Sequence, residues 1–282
     1  MNILEAIILG IIQGLTEFLP ISSTGHLTVV GKLLNLISAE TPEHWTAFIA
    51  VIQLGTLLAV IVYFWNDLIH IVKEFFQDNF FQRKKFAEQT LNSKMGWYII
   101  IASVPVAIVG LGFKKIIEGA LTKNLFVIAG SLIVLALILA LAEEVGKFRR
   151  ETKDLKWYDA FLMGIAQCFA LIPGSSRSGT TITAGLFLGL TREAAARFSF
   201  LMSIPAVAAS GLLEFKESLK YLNMHGAINL IAATIASAIV GYLSIEFLLR
   251  YLKKNSTYLF IIYRIAIGIL ILVLLGYSII QP

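Results

Sequence analysis

Two short polar segments lie inside otherwise apolar stretches of this chain, and their residue types suit chemistry on an anionic group. The first spans residues 10–26 and carries an amide, a carboxylate, hydroxyls and an imidazole. The second spans residues 164–181 and carries an amide, hydroxyls and a guanidinium. Ionisable groups in such surroundings are costly and mark functional sites by default. The segments align at one constant spacing along the chain, which pairs Gly10 with Gly164, Gln13 with Gln167, Ser22 with Ser176, and Gly25 with Gly179.

The second segment has the composition of an anion site centred on Arg177. Pro173-Gly174 precedes it, and glycine permits the backbone to approach a ligand closely. A guanidinium fork matches phosphate oxygens, and the N–H groups and dipole of a helix start favour the same ligands. The alternative is a Ser/Thr-rich helix cap whose arginine pairs with a structural carboxylate. The surrounding hydroxyls expected to bind phosphate are Ser175, Ser176, Ser178 and Thr181.

The first segment adds a carboxylate and a titratable ring. Gln13 and Glu17 are four residues apart and therefore share one helix face. We expect Glu17, with an oxygen of Gln13, to bind a divalent cation or to orient a water molecule. The hydroxyl run 22–24 opens the following helix, and His26 in its first turn could exchange a proton near neutral pH. A structural, hydrogen-bonded histidine is the equally weighted alternative.

The composition is that of an integral membrane protein. Of the 282 residues, 57% are hydrophobic and 15% are charged, against about a quarter charged in soluble domains. The net charge of +5 suits basic cytoplasmic loops, and because the basic residues occupy short loops between apolar segments we expect no nucleic-acid binding. A single cysteine, Cys168, excludes a disulfide framework and a multi-cysteine metal site. The segment Met1–Leu19 is too polar in its middle for a cleaved signal peptide.

Six segments are long and apolar enough to cross a bilayer by the criterion of about 20 residues. Two pairs of shorter stretches are each interrupted by a Pro-Ile-Ser-Ser or Pro-Gly-Ser-Ser turn. Each pair predicts a helix, a polar tip and a second short helix, which together form a re-entrant hairpin. The short pairs are Ile3–Leu19 with Leu27–Ile37 and Tyr158–Ile172 with Ile182–Leu190. The six long segments are approximately Trp45–Trp65, Met95–Phe113, Asn124–Ala142, Ala194–Leu213, Ala227–Leu249 and Tyr258–Ile280.

The repeat predicts how these elements are arranged. Each copy would be one hairpin followed by three spans, with repeat 1 over about residues 1–142 and repeat 2 over about 157–282. An odd number of crossings inverts the second copy, as in transporter folds whose site lies near the membrane midplane. We therefore expect an all-α polytopic membrane protein, a single integral membrane domain over 1–282. It would have about six transmembrane helices plus two re-entrant hairpins whose tips converge in an inverted-topology repeat.

The loop charges predict the orientation in the membrane. Most basic residues fall on the side that includes loops 83–85, 147–156 and 250–254, and fewer fall on the side of 114–123 and 216–220. Cytoplasmic loops carry the excess of Lys and Arg, so the first side should be cytoplasmic. Both termini and the first hairpin should then face outward.

The motifs resemble those of the bacterial undecaprenyl-diphosphate phosphatases of the bacitracin-resistance type. The resemblance covers essentially the full length. It is most specific in Gln13-x-x-x-Glu17, in Glu17-Phe-Leu-Pro-Ile-Ser-Ser-Thr-Gly-His26 and in Pro173-Gly-Ser-Ser-Arg-Ser-Gly-Thr-Thr181. The stretch from Glu193 to Pro205 is also similar. The first motif begins with Gln rather than Glu, which the family allows.

The resemblance implies removal of one phosphate from undecaprenyl diphosphate, which recycles the lipid carrier for peptidoglycan synthesis and confers bacitracin resistance. It also implies a divalent cation, Mg²⁺ or Ca²⁺, held by Glu17 and Gln13. Bacitracin would compete only indirectly, by sequestering the substrate. Membrane lipids are expected to surround the protein, and a second copy of the chain, in a homodimer, is a further expected partner. The catalytic residues expected are Glu17, Ser23, His26 and Arg177, with either Ser23 or a water as nucleophile. The phosphate-binding residues expected are Ser22, Thr24, Ser175, Ser176, Arg177, Ser178 and Thr181.

Two other functions compete with a phosphatase of this type. A lipid-phosphate flippase or transporter could use the same inverted-repeat scaffold. A membrane acid phosphatase that forms a phospho-histidine is disfavoured, because no nucleophilic histidine follows Ser176-Arg177 at short range. Phosphate release by the purified protein separates the first alternative from a phosphatase.

Two further ion pairs are expected from the sequence. Arg264 and Glu246 lie within neighbouring spans, so an interhelical pair is preferred over a role at the site. Glu193 and Arg197 are spaced i, i+4 and should pair on one helix.

Overall fold

The computed structural model describes residues 1–37, 42–113, 124–219 and 224–281, and this part of the chain is helical. It contains eleven α-helices and no β-strand. The predicted all-α class is therefore confirmed for the described residues. The helices are α1 (Ile3–Phe18), α2 (Ser23–Leu33), α3 (Pro42–Tyr63), α4 (Trp65–Phe76), α5 (Leu91–Gly112), α6 (Leu125–Val145), α7 (Trp157–Cys168), α8 (Arg177–Phe187), α9 (Arg192–Ser218), α10 (Met224–Leu252) and α11 (Tyr258–Gly276).

Six of these helices are long and apolar enough to span a membrane, which confirms the predicted number. Large apolar side chains such as Ile108, Ile231 and Ile262 are more than half exposed, as expected of surfaces that face lipid. The protein is a multi-pass membrane protein. The candidate spans are His44–Tyr63, Leu91–Gly112, Leu125–Val145, Arg192–Ser218, Gly226–Leu252 and Tyr258–Gly276.

The two interrupted stretches fold as pairs of short helices, α1 with α2 and α7 with α8. The second helix of each pair begins earlier than the apolar pattern indicated, at Ser23 rather than Leu27 and at Arg177 rather than Ile182. The reason is that the hydroxyl-rich residues form the first helical turn. In the second pair α7 ends at Cys168 and is extended by a 3₁₀ turn over Phe169–Leu171.

Two glycines allow the first helix of each pair to touch a span backbone to backbone. A β-carbon on Gly10 would collide with the carbonyl oxygen of Ala233 on α10. A β-carbon on Gly164, which occupies the matching position in the second segment, would lie 2.5 Å from the carbonyl oxygen of Ala102 on α5. Glycine is thus required at both crossings, and each fixes a short helix against a span from the other half of the chain.

The remaining helices meet across the two halves of the chain. α3 packs on α9, and α6 packs on α11. Between the halves, Arg150 binds the buried carboxylate of Asp159 and the carbonyl oxygen of Leu188. The helix contacts join the two halves, and Arg150 ties the segment between them to α7 and to the end of α8.

The two ion pairs expected from the sequence, Arg264 with Glu246 and Glu193 with Arg197, do not form, so both predictions are wrong. Glu246 accepts a hydrogen bond from Tyr63 at 2.5 Å and pairs with Arg250, one turn along its own helix. Arg197 pairs instead with Asp67 of α4 at 2.6 Å. Glu193 lies 3.5 Å from the ammonium of Lys253. Spacing along one helix did not decide the partners of Glu193 and Arg197, because side chains from other elements compete for them.

Candidate active site

The carboxylate of Glu17 is the point at which the two polar segments meet. Its Oε2 accepts hydrogen bonds from Ser23 Oγ at 2.7 Å and from Gln13 Nε2 at 2.9 Å. Its Oε1 accepts from Arg177 Nη2 at 2.8 Å. Glu17 is only 5% exposed, so this ion pair is shielded from water. The structure therefore brings together Gln13, Glu17, Ser23 and Arg177, which the sequence singled out separately.

A fifth polar side chain near this carboxylate was missed by the sequence reasoning. Gln53 of α3 directs its Nε2 at Glu17 Oε2, at 3.5 Å. The available signal was an amide inside an otherwise apolar span, between Ile52 and Leu54. Gln53 adds a donor to a carboxylate that already accepts from three groups.

The matched serines Ser22 and Ser176 cap the two short helices in the same way. Both have left-handed backbone conformations, with φ of 76° and 66°. The Oγ of each accepts from the backbone N–H of the matching glycine, Gly25 at 3.3 Å and Gly179 at 3.1 Å. A left-handed serine is uncommon and strained, so the surrounding structure must impose it. Two of the four shared positions of the repeat, the serine and the second glycine, are therefore helix-cap positions.

Several hydroxyls expected to bind phosphate point at protein groups. Thr181 Oγ1 contacts Ser199 Oγ at 2.6 Å and the carbonyl oxygen of Arg177 at 2.8 Å. Ser178 Oγ donates to the carbonyl oxygen of Leu19 at 3.0 Å and so joins the second tip to the first. Thr24 Oγ1 lies 3.4 Å from the Oγ of Ser22. Phosphate binding by these three residues stays a prediction, and it would require their hydroxyls to change partners.

Two of the phosphate-binding residues predicted in the second segment have a buried polar atom with no hydrogen-bond partner among the described residues. These atoms are the Oγ of Ser175 and the Nη1 of Arg177. Because the other guanidinium nitrogen Nη2 is held by Glu17, Nη1 is a fixed donor that is free to bind an anion. Among the predicted phosphate-binding residues, these two are the ones whose polar atoms are free.

His26 lies against α11. Its Nδ1 is 2.7 Å from the carbonyl oxygen of Ser22, and its Nε2 is 2.8 Å from the hydroxyl of Tyr263. A carbonyl oxygen only accepts, so Nδ1 of the neutral ring carries the hydrogen and Nε2 accepts from the tyrosine. The two rings stack with an interplanar angle of 8°. Sequence reasoning did not find Tyr263, which looks like an ordinary aromatic residue of a span.

Arg264 is fully buried and binds the turns of both short-helix pairs. Its Nη2 donates to the carbonyl oxygen of Ser175 at 2.9 Å, and its Nη1 donates to that of Pro20 at 3.4 Å. It also donates to the carbonyl oxygens of Ser131 and Leu132 on α6. The expected pair with Glu246 is wrong because main-chain carbonyl oxygens of the two turns and of α6 accept from the Arg264 guanidinium.

We expect Arg264→Met to destabilise the folded protein by about 2 kcal/mol or more, because it leaves buried carbonyl oxygens without donors. Arg264→Lys should fall between wild type and Arg264→Met, since one ammonium cannot reproduce the planar fork. Thermal unfolding in detergent measures the effect. The control is Arg250→Met, whose side chain is 78% exposed. Equal melting temperatures for Arg264→Met and the control would contradict this assignment.

Comparison with known proteins is consistent with this geometry. The profile described as bacitracin resistance protein BacA matches residues 6–270. The chain belongs to this family. A relative from Syntrophobacter fumaroxidans, named undecaprenyl-diphosphatase, is 58% identical over 95% of each chain. Relatives of the same name from Chloroherpeton thalassium and Myxococcus xanthus are 49% identical over 98% of each chain, and 45% identical over 100% of this chain and 92% of the relative.

The oxygens beside Glu17 fit a cation that is bound partly by its substrate. Within the described residues, no group of three or more His, Cys, Asp or Glu side chains could hold a metal ion. Glu17 supplies carboxylate oxygens, and the Oε1 of Gln13 is buried without a hydrogen-bond partner. Mg²⁺ and Ca²⁺ prefer such oxygens, and Mg²⁺ commonly takes its remaining ligands from phosphates and water. In this BacA-family chain, a cation at Glu17 and Gln13 would need a phosphate to complete its coordination.

Proposed function

We propose that this chain is an undecaprenyl-diphosphatase, which hydrolyses undecaprenyl diphosphate to undecaprenyl phosphate and inorganic phosphate. Membership of the BacA family and the shared name of relatives at up to 58% identity support this function. The observation that carries it structurally is the buried Glu17, which accepts from Ser23 on one oxygen and from Arg177 on the other. A base, a hydroxyl and an anion-binding guanidinium are the parts that phosphoryl transfer needs.

The geometry favours Ser23 as nucleophile. Glu17 accepts the Ser23 proton as Oγ bonds to the terminal phosphorus, while the bond from that phosphorus to the bridging oxygen breaks. Undecaprenyl phosphate leaves, and water then hydrolyses the phosphoserine and frees inorganic phosphate. Direct attack by a water oriented at Glu17 is the second route. The 2.7 Å bond between Ser23 Oγ and Glu17 Oε2 supports the first.

Arg177 and the cation would neutralise negative charge on the phosphate oxygens during the reaction. Arg177 Nη1, which has no partner among the described residues, would bind an oxygen of the transferring phosphoryl group. Glu17 and Gln13 would hold Mg²⁺ or Ca²⁺, which neutralises phosphate charge when bound. His26 would exchange a proton through Nε2, the ring nitrogen that contacts the hydroxyl of Tyr263. The other hydroxyls, Ser22, Thr24, Ser176, Ser178 and Thr181, would orient the tips.

An assay of phosphate release tests the function. Detergent-purified protein is incubated with undecaprenyl diphosphate and Mg²⁺ or Ca²⁺, and free phosphate is measured. Release supports the phosphatase, whereas binding without release would support the lipid-phosphate flippase instead. A Glu17→Gln preparation that inserts normally should release no phosphate, which excludes a contaminating enzyme.

The contacts between the two halves of the chain support two re-entrant hairpins in an inverted repeat, over about 1–142 and 157–282. α1 of the first half crosses α10, and α7 of the second half crosses α5. α10 and α5 are each the second span after the hairpin of their own half, so the crossings are reciprocal. Reciprocal crossings are what a two-fold axis between halves would produce. The tips would then enter from opposite faces and meet at Glu17 and Arg177.

We expect the first hairpin and both termini to face outward from the bacterial inner membrane. In a Cys168→Ala background, Thr24→Cys should react with an impermeant thiol reagent in intact cells. Asn255→Cys, exposed in the loop before α11, should react only after permeabilisation. The reverse pattern would overturn the orientation.

Three further expectations follow from the proposed substrate. Bacitracin would inhibit only indirectly, by sequestering undecaprenyl diphosphate. The enzyme would support bacitracin resistance by recycling the carrier lipid. Association into a homodimer within the membrane stays a prediction.

A further inference from the structure

Most buried polar atoms without hydrogen-bond partners lie in the two polar segments. Within the described residues, these atoms belong to Gln13, Gln167, Ser175 and Arg177, and to Trp45. Most buried polar groups in folded proteins are paired, so each exception needs an explanation. Gln13 and Arg177 each bind Glu17 through their other polar atom. Gln167 and Ser175 bind nothing through their side chains, and the mechanism above does not use Gln167.

Gln167 is the most extreme of these residues. It is 1% exposed, and neither its Nε2 nor its Oε1 has a partner. Its counterpart Gln13 donates to Glu17, one turn further along α1. At the position that matches Glu17, the second segment has Leu171, whose side chain cannot accept a hydrogen bond. Gln167 therefore lacks the acceptor that its own hairpin would have supplied, and a structural role does not explain why an amide is present.

Ser175 is a polar residue where the first segment has an apolar one. It is 0% exposed with an unpartnered Oγ, and the matching residue of the first segment is the apolar Ile21. Its carbonyl oxygen is held by Arg264 at 2.9 Å, which fixes the residue at the turn. Ser175 is also two residues before Arg177, whose free Nη1 is the predicted phosphate donor. The second segment thus carries three residues, Gln167, Ser175 and Arg177, each with a buried donor that has no partner among the described residues.

We propose that Gln167 is a further substrate-binding residue, which donates to a phosphate oxygen of the lipid diphosphate together with Ser175 and Arg177 of the same segment. A diphosphate presents many acceptor oxygens and few donors, which matches the amide N–H and hydroxyl groups that lack partners. Hydrogen bonds to charged oxygens are stronger than those between neutral groups. These neutral donors add binding without further positive charge, so they act mainly on affinity, and Arg177 with Glu17 acts on turnover. This inference rests on the proposed phosphatase function.

The test is steady-state kinetics of Gln167→Met and Ser175→Ala in detergent. Met preserves the volume of Gln167, and Ser175→Ala removes one hydroxyl. We expect KM for undecaprenyl diphosphate to rise about tenfold or more, as for loss of one hydrogen bond to a charged group, with a smaller change in kcat. Melting temperatures of both variants should equal or exceed that of wild type, because an unpartnered buried polar group is removed.

Asn229→Leu is the matched control, because Asn229 is a buried amide that has a partner, the carbonyl oxygen of Met1. It should lower the melting temperature and leave KM unchanged. Binding of methylenediphosphonate, whose bridge resists hydrolysis, gives a readout independent of turnover and should weaken in Gln167→Met and Ser175→Ala. Lower melting temperatures with unchanged KM in those variants would overturn the inference and assign Gln167 to the scaffold. Failure of wild type to release phosphate would instead overturn the proposed function.

Discussion

Arg177→Ala should lower the rate of phosphate release by about 10³-fold or more, the order found for arginines that stabilise phosphoryl transfer. The substitution removes the free Nη1 donor and also leaves the buried Glu17 without its guanidinium partner. Arg177→Lys should recover only part of the rate, because an ammonium cannot bind Glu17 and a phosphate oxygen through one planar fork. The measurement is kcat/KM on undecaprenyl diphosphate.

The matched control for Arg177→Ala is Arg250→Ala, on the exposed face of α10. It should have the activity of wild type. Melting temperatures show whether the Arg177 variants are folded, since removal of one partner from a buried pair is destabilising. A folded Arg177→Ala protein with a near wild-type rate would refute the assignment of the site.

Ser23→Ala should reduce turnover by about 10⁴-fold or more if Ser23 is the nucleophile, as for other enzymes in which the attacking serine is removed. Its Oγ is already bonded to the carboxylate that would take its proton. Rapid quenching of wild type with substrate, followed by mass spectrometry, should detect phosphate on Ser23. Because alanine also removes a donor to Glu17, Ser23→Thr, which retains a hydroxyl, should keep measurable activity.

Ser210→Ala is the control for Ser23→Ala, since the Ser210 hydroxyl binds main-chain carbonyl oxygens on an exposed part of α9. It should not change the rate. Retained turnover in Ser23→Ala would eliminate the covalent route. Attack by a water at Glu17 would then be the mechanism, and the remaining assignments would stand.

The elements could be predicted because their signals are local. Six spans follow from length and apolarity, and the interrupted stretches follow from the Pro-Ile-Ser-Ser and Pro-Gly-Ser-Ser turns inside apolar sequence. The convergence of Glu17 and Arg177 was also foreseen, since an odd number of spans inverts the second copy. Their roles in the reaction stay predictions until the variants are measured.

The partners of individual side chains were harder to predict because they depend on tertiary contacts. Arg264 binds turn carbonyls rather than Glu246, and His26 binds Tyr263, since both partners come from distant parts of the chain. The capping role of Ser22 and Ser176 depends on a left-handed backbone conformation, which cannot be predicted from the residue type serine. Gln53 was missed as a candidate site residue because one amide hardly changes the mean hydropathy of a span.

The glycine crossings of α1 and α7 have a consequence for how the molecule is assembled. Gly10 of the first half is seated on α10 of the second, and Gly164 of the second half is seated on α5 of the first. Glu17 and Arg177 likewise come from opposite halves. Each half of the chain thus packs against the first short helix of the other half. Subunits of a domain-swapped dimer exchange elements in the same way, but here both halves belong to one chain. Residues 1–145 and 157–281, produced as separate polypeptides, would each have half of a catalytic centre and would need each other to complete it.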